Sequence, residues 1–214
     1  MRITAVRATV LKDRVFWARK IEKIVTIAAP GERQGPRPAR PVPMLGSILV
    51  EVETDAGLVG LGLGGGGAPG AFVVEKCLTP WLLDQDPMAT ERLWEQMYRA
   101  TYRFGQAGIA LMAISGVDLA LWDLKGKAMG QPVYQLLGGK VQERVPVYAT
   151  VRDPVWARSL GIRAIKLGGP YGPLDGREGM RKNEARIVEI REAVGPDMDI
   201  MIDCARTWTV AYTI

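Results

Sequence analysis

The last third of the chain alternates short apolar segments with longer helical ones, and this alternation limits the folds that it can adopt. Residues 144–150, 163–167 and 199–203 have the composition of buried strands, and residues 154–160 and 176–194 have helical patterns between them. Strand, helix and strand in units of about 20–40 residues are typical of a parallel sheet with covering helices. The sequence therefore predicts the beginning of an α/β domain.

The third of these strands ends on a carboxylate. Its apolar run starts after Asp199 and stops at Asp203, and Trp208 follows closely behind. Parallel α/β barrels present metal ligands and catalytic groups at the carboxyl ends of buried strands, so we expect Asp203 to serve in a functional site. The alternative is that Asp203 caps a turn or the helix that follows the strand.

The N-terminal part of the chain has a different pattern. Residues 3–11 alternate as a strand, and residues 47–62 form a predicted β-hairpin that turns at residues 55–57. Helical patterns follow at about residues 71–83, 87–102 and 106–129, with Asp86 and Pro87 as the expected N-cap and first residue of the second helix. These features predict an α+β module with a three-stranded antiparallel sheet over about residues 1–130.

Composition restricts the chemistry that these residues can perform. The 214 residues include no histidine, which excludes a Ser-His-Asp site, a Cys-His site and a histidine zinc site within them. Proton transfer would fall to Lys, Asp, Glu or Tyr. The two cysteines, Cys77 and Cys204, lie far apart without zinc spacing, and they indicate the reduced thiols of a cytoplasmic protein.

Charge and hydropathy argue against nucleic-acid and membrane partners. The net charge of +5 is concentrated only in residues 33–40, which are rich in proline and glycine and carry no interleaved aromatic side chains. The longest apolar runs are too short to span a bilayer, and the N-terminus lacks the apolar core of a signal peptide. We therefore expect neither partner.

Two segments carry a resemblance to a known family. They are residues 113–127, AISGVDLALWDLKGK, and residues 131–139, QPVYQLLGG. Both resemble the mandelate racemase and muconate lactonizing enzyme branch of the enolase superfamily, where they form the signature helix and the linker into a barrel. The resemblance implies an N-terminal capping domain over residues 1–130 and the first three βα units of an incomplete (β/α) barrel over residues 131–214.

Three further segments resemble one group within that branch, the L-rhamnonate dehydratase-like acid-sugar dehydratases. They are residues 87–98, 171–183 and 194–204. Such enzymes remove a proton α to a carboxylate, form a Mg²⁺-stabilised enediolate and expel the β-hydroxyl group. The resemblance thus implies a Mg²⁺ cofactor, a sugar-acid substrate and a homo-oligomeric full-length protein.

The resemblance also assigns roles to two residues at strand ends. It makes Asp203 the first of three carboxylates that bind Mg²⁺, a hard cation that prefers carboxylate oxygen. Lys166 would neutralise the enediolate or act as a base, and the alternative is a solvated lysine at a strand end. Many relatives carry a second lysine where this chain has Gly168, and this departure weakens the case for racemase or epimerase chemistry.

The family folds the loop of residues 12–45 over the barrel mouth, and three arginines of that loop are candidate substrate ligands. Arg33, Arg37 or Arg40 could clamp the carboxylate of a sugar acid bidentately, and a solvated basic loop explains them equally well. Rhamnonate enzymes use histidine in this region, so its absence here puts rhamnonate itself in doubt.

For two further pairs of polar residues, a structural role replaces a catalytic role or competes with one. The resemblance makes Asp118 and Asp123 structural residues that hold the signature helix in place. Tyr148 and Thr150, at the end of the first barrel strand, either line the site or pack and cap the strand.

The number of βα units bears on activity. A closed (β/α) barrel needs eight units and about 250 residues, and three units follow the linker here. We therefore expect the other Mg²⁺ carboxylates and the later acid/base residues to lie beyond Ile214. Two interpretations stay open: the N-terminal half of an acid-sugar dehydratase, with racemase, epimerase or cycloisomerase chemistry as alternatives, or a truncated, non-catalytic remnant. We expect no dehydratase turnover by the 214 residues alone.

Overall fold

The computed structural model describes residues 1–11, 46–151, 153–204 and 207–214. These residues divide into two compact units, one that ends at Val141 and one that runs from Gln142 to Ile214. Each unit has its own hydrophobic core. Within the described ranges, no helix combines the length and the apolar character that crossing a membrane requires.

The first unit contains a three-stranded antiparallel sheet in the order β1-β2-β3, as the sequence predicts. Its strands are β1 Ile3–Val10, β2 Ile48–Thr54 and β3 Val59–Gly64. The hairpin between β2 and β3 turns at Gly57, whose φ of 75° suits glycine. On β2 every second side chain is buried, because Ile48, Val50 and Val52 belong to the core of the unit.

The helices of the first unit follow the sheet in sequence. They are α1 Gly67–Phe72, α2 Thr79–Leu82, α3 Thr90–Ala100, α4 Ile109–Met129 and α5 Val133–Leu136, with a π-helical segment Val73–Leu78 between α1 and α2. Side chains from the sheet and from the helices form one core cluster. Within it Leu93, Ile114 and Leu121 are fully buried.

The start of α3 differs from the sequence prediction. The Asp86 carboxylate accepts a hydrogen bond from the Met88 backbone N–H at 3.0 Å, which folds the chain into a turn before the helix begins at Thr90. The prediction that Asp86 is the N-cap of this helix is therefore wrong. The Asp-Pro pair stabilises a turn instead.

The start of α4 also lies later than predicted, at Ile109 instead of Gln106. Gly108 has φ 57° and ψ −128°, which is outside the helical region, so the helix cannot extend through it. The end of α4 is as predicted, because Gly130 follows the helix in the left-handed conformation that commonly terminates helices.

α4 packs directly on β3 because alternate positions of that strand are glycine. A Cβ on Gly60 would lie 2.1 Å from the carbonyl oxygen of Ala120, and one on Gly62 would lie 2.1 Å from that of Gly116. No side chain fits in that space, so the backbones of strand and helix are in contact.

α4 also covers the outer edge of β3. The Asp123 carboxylate accepts a hydrogen bond from the Leu61 backbone N–H at 2.8 Å, and the Lys127 ammonium donates to the Val59 carbonyl at 2.8 Å. Asp123 and Lys127 also form an ion pair at 2.6 Å. Backbone groups on the outer strand of a sheet need partners, and the two side chains provide them. These contacts support the structural role that the resemblance implies for Asp123.

The second unit contains three parallel strands in the order β4-β5-β6, connected by helices. Its elements are β4 Ala149–Thr150, α6 Pro154–Ser159, β5 Ala164–Gly168, a 3₁₀ turn Pro173–Asp175, α7 Gly176–Val194, β6 Asp199–Asp203 and α8 Val210–Thr213. The predicted strand at residues 144–150 pairs over its last two residues. The predicted fold class is confirmed: an α+β capping module and the start of an incomplete (β/α) barrel.

The core of the second unit lies between its sheet and its helices. Ile165 and Leu167 of β5 are buried there with Ile190 and Val194 of α7. Side chains alternate between the two faces of a strand, so the residues between them, such as Lys166, point to the opposite face. That opposite face carries the candidate site.

Candidate functional site

Lys166 and Asp203 lie on the same face of the parallel sheet, near the carboxyl ends of neighbouring strands. In the register of β5 and β6, Lys166 is opposite Met201 and Gly168 is opposite Asp203, so Lys166 and Asp203 are diagonal neighbours. The Lys166 Nζ and Asp203 Oδ2 atoms are 3.9 Å apart, and the two side chains are 28% and 29% exposed. An ammonium and a carboxylate thus meet at the edge where such sheets place their functional groups.

Tyr148, just before β4, holds the ammonium of Lys166 from the other side. The Lys166 Nζ donates a hydrogen bond to the Tyr148 hydroxyl at 3.2 Å and lies 5.0 Å from the centroid of the ring. This hydrogen bond raises the pKa of Lys166 above its ordinary value, partial burial opposes the rise, and the negative charge of Asp203 adds to it. These contacts favour the ammonium form of Lys166, and an ammonium at this place suits electrostatic stabilisation of a negative charge.

Gly168 leaves space beside Asp203. Among the residues that the structure describes, no atom lies within 4 Å of the place that a Cβ would occupy. The site therefore has one lysine on β5, and the position opposite Asp203 contributes no amine.

Backbone and indole hydrogen bonds connect Asp203 and Trp208 to the segment that follows β5. The Gly169 N–H donates to the Asp203 carbonyl at 3.0 Å, and the Trp208 indole N–H donates to the Tyr171 carbonyl at 2.7 Å. Asn183 of α7 is 6% exposed and bonds both backbone groups of Tyr171. Tyr171 and Trp208 are 37 residues apart and form no local pattern, so the sequence does not predict that they are partners.

The other predicted site residues are three arginines of the predicted loop and Thr150 at the end of β4. Arg33, Arg37 and Arg40 lie outside the described residues. Thr150 pairs with Lys166 through the β4–β5 ladder and is exposed.

Asp118 belongs to α4 of the first unit. Its pKa is raised above the ordinary value by partial burial and by the negative charge of Glu91.

Asp203 has the donor chemistry that Mg²⁺ prefers, since carboxylate oxygen is its usual protein ligand. In the part of the chain that the structure describes, no group of three or more His, Cys, Asp and Glu side chains could hold a metal ion. The fit therefore extends to one ligand, in a site where further ligands would have to come from elsewhere.

The sequence of the chain is similar to one family model and to curated relatives. Residues 42–138 match the family model described as "Mandelate racemase / muconate lactonizing enzyme, N-terminal domain". The L-rhamnonate dehydratase of Saccharopolyspora erythraea is 42% identical over 181 residues, which are 85% of this chain and 46% of that protein. A relative from Caldivirga maquilingensis is 45% identical over 169 residues, which are 79% of this chain and 42% of the relative. The chain spans about half the length of these relatives.

Solved structures give the same result. Rhamnonate dehydratase from Gibberella zeae, complexed with Mg, is 36% identical with a TM-score of 0.87, and the match covers 99% of this chain and 55% of that one. A racemase from Streptomyces coelicolor with bound magnesium is 30% identical with a TM-score of 0.74, and the match covers 98% and 57%. The chain belongs to the mandelate racemase and muconate lactonizing enzyme branch of the enolase superfamily.

Proposed function

We propose that this chain provides the capping domain and the first barrel strands of a Mg²⁺-dependent acid-sugar dehydratase. The observation that carries the proposal is the placement of the Lys166 ammonium 3.9 Å from the Asp203 carboxylate, at the carboxyl ends of adjacent parallel strands. Similarity to dehydratases of sugar acids supports the substrate class. The substrate is then a small carboxylate.

In this proposal Asp203 is one ligand of the metal. Mg²⁺, when bound, stabilises the negative charge that develops on the substrate carboxylate as the α-proton leaves. Lys166 adds a second positive charge on the same face of the sheet, and the hydrogen bond to Tyr148 fixes its position. The proton acceptor and the group that protonates the departing β-hydroxyl are not assigned to residues of this chain.

Gly168 favours dehydration over racemization. A racemase needs an acid/base group on each face of the α-carbon, whereas a dehydratase needs a base on one face and an acid for the leaving hydroxyl. Position 168 points to the face of Lys166 and carries no amine. With Lys166 held as an ammonium, β5 lacks a free amine base, which supports the dehydratase proposal.

The experiment is a chimera in which this chain replaces the matching segment of the S. erythraea enzyme. The chimera is incubated with Mg²⁺ and a panel of aldonic acids, and formation of 2-keto-3-deoxy acid is measured. We expect turnover of at least one acid, and its loss in the Asp203→Asn variant. Asp199→Asn is the matched control, because Asp199 is exposed at the opposite end of the same strand.

Two results would contradict the proposal. Proton exchange at the α-carbon without loss of water would favour a racemase or an epimerase. A well-folded chimera without activity would favour the non-catalytic alternative. The purified 214-residue chain is expected to give no turnover. The cytoplasmic location and the homo-oligomeric state of the full-length protein stay predictions.

A further inference from the structure

We infer that Trp208 is a positioning residue that ties the segment after β6 to the segment after β5 and so holds Asp203 beside Lys166. The catalytic role of Lys166 and Asp203 rests on the proposed function. We call the contacts among Trp208, Gly169, Tyr171 and Asn183 the clamp, and these contacts do not depend on that function.

The Trp208 ring closes directly on the backbone after β5. A Cβ added to Gly169 would lie 2.7 Å from Cζ2 of the indole and 3.2 Å from Cγ2 of Ile202. Position 169 thus requires glycine because the indole occupies the space of a side chain. The same Gly169 donates its N–H to the Asp203 carbonyl at 3.0 Å, so ring and ligand residue contact one backbone unit.

The indole N–H anchors the clamp to α7. It donates to the Tyr171 carbonyl at 2.7 Å, and this carbonyl also accepts a hydrogen bond from the Asn183 amide at 3.0 Å. Asn183 is 6% exposed, and its own oxygen accepts from the Tyr171 N–H at 3.4 Å. A buried amide that pairs with both groups of one residue fixes that residue against the helix. Trp208 is thereby connected to α7 through Tyr171 and Asn183.

Two hydrogen bonds connect Thr207, the neighbour of Trp208, to Cys204, the neighbour of Asp203. The Cys204 carbonyl accepts hydrogen bonds from the Thr207 N–H at 2.9 Å and from the Thr207 hydroxyl at 2.6 Å. Asp203 is therefore held by the pairing of its strand with β5, and the next residue, Cys204, is held by Thr207. Loosening the indole would free the carboxylate to move away from Lys166.

The chain carries its own probes for a test, because its two cysteines report on different units. Cys204 follows Asp203 directly, Cys77 lies in the first unit, and both thiols are free and partly buried. The labelling rate of each thiol by a disulfide reagent is measured in the whole chain by mass spectrometry of the peptides. Trp208→Phe keeps a ring and removes the N–H, whereas Trp208→Leu removes both.

We expect Cys204 labelling to accelerate about fivefold in Trp208→Phe, the factor for one lost hydrogen bond, and about twentyfold or more in Trp208→Leu. Cys77 labelling stays at the wild-type rate. Unchanged Cys204 labelling in both variants would overturn the clamp. An equal acceleration at Cys77 and Cys204 would overturn it too, since it would show general loosening. Trp208→Phe alone decides the matter if Trp208→Leu does not fold.

A spectroscopic measurement separates positioning from a purely structural role. The ¹⁵Nζ chemical shift of Lys166, detected through its ε protons, is compared among wild type, Trp208→Leu and Asp203→Asn. We expect Trp208→Leu to move this signal toward its Asp203→Asn position while the signal of Lys127, which pairs with Asp123 in the first unit, stays in place. A Lys166 signal that does not move would refute the positioning role. Neither measurement requires metal or turnover, so failure of the clamp and failure of the proposed function are distinguishable.

Discussion

Gly168 lies opposite Asp203 in the register of β5 and β6, and no atom of the described part of the chain lies within 4 Å of where its Cβ would be. The position beside the candidate ligand is therefore available to water, substrate or an engineered side chain. Its backbone does not adopt the positive φ that restricts other glycines of the chain. Substitution there changes the charge near Asp203 without straining the fold.

The first prediction uses this space. Gly168→Lys in the chimera places a second ammonium near Asp203, and a cation at that distance opposes binding of a divalent metal. We expect the Kd for Mn²⁺, followed by electron paramagnetic resonance, to rise about tenfold. Gly168→Gln, with a neutral side chain of similar length, is the control and is expected to bind Mn²⁺ nearly as wild type does. Equal weakening by both substitutions would point to steric blockage.

The second prediction concerns Lys166. Removing a fixed positive charge from an active site typically lowers kcat about 10²–10³-fold, and we expect Lys166→Met in the chimera to do so. Because the charge acts on the transition state, KM changes less than kcat. Lys182→Met, an exposed lysine on α7 paired with Glu178, is the control and is expected to retain activity. Full activity of Lys166→Met would assign this residue to the solvated alternative.

The sequence predicts the strand ends better than it predicts the contacts between them. Alternation of strands and helices is encoded locally, so the bounds of β6 and α7 are those expected from the pattern. The start of α3 was missed because Asp86 bonds the backbone of a turn, and an Asp-Pro pair suits a turn and a helix start equally well.

Long-range contacts explain the other features of the structure that the sequence does not predict. The sequence shows that Trp208 follows Asp203 closely. Its hydrogen bond to Tyr171, however, spans 37 residues and depends on how two loops pack. Similarly, glycine is a weak strand former, and the sequence alone gives no reason for the glycines of β3. The close packing of α4 against the strand supplies that reason. The sequence predicts which side chain lies at the end of a strand. Tertiary packing determines which residues contact that side chain.

The third prediction tests the contact between β3 and α4. Gly60→Ala places a methyl group where the Ala120 carbonyl lies 2.1 Å away, and helix and strand must separate. We expect the free energy of unfolding of the first unit to fall by about 2 kcal/mol or more, measured by hydrogen exchange at the Ile114 amide. Gly46→Ala in the same unit is the control, because its Cβ would lie at an ordinary 3.6 Å from the Leu11 carbonyl oxygen, and it is expected to change stability by less than about 0.5 kcal/mol. A neutral Gly60→Ala would show that the helix can shift freely.

The fourth prediction concerns Asp118, whose pKa is raised above 3.8 by partial burial and by Glu91. A raised pKa means that the folded state binds the proton more tightly than the unfolded state, so ionisation of Asp118 lowers stability as pH rises through the folded pKa. Asp118→Asn removes that cost. We expect the variant to be more stable than wild type at neutral pH, with the advantage shrinking as pH falls toward 3.8. Hydrogen exchange at the Ile114 amide, followed from neutral pH toward pH 3.8, measures this difference in stability between variant and wild type.

Asp123→Ala on the same helix is the contrasting variant, because it removes the partner of the Leu61 N–H and of Lys127. We expect it to lose about 1 kcal/mol of stability at neutral pH. Asp118 and Asp123 thus make opposite contributions from one helix, the first through burial of a charge and the second through hydrogen bonds to a strand edge. A loss of stability at neutral pH in Asp118→Asn would mean that hydrogen bonds to Asp118 outweigh the cost of burying its charge.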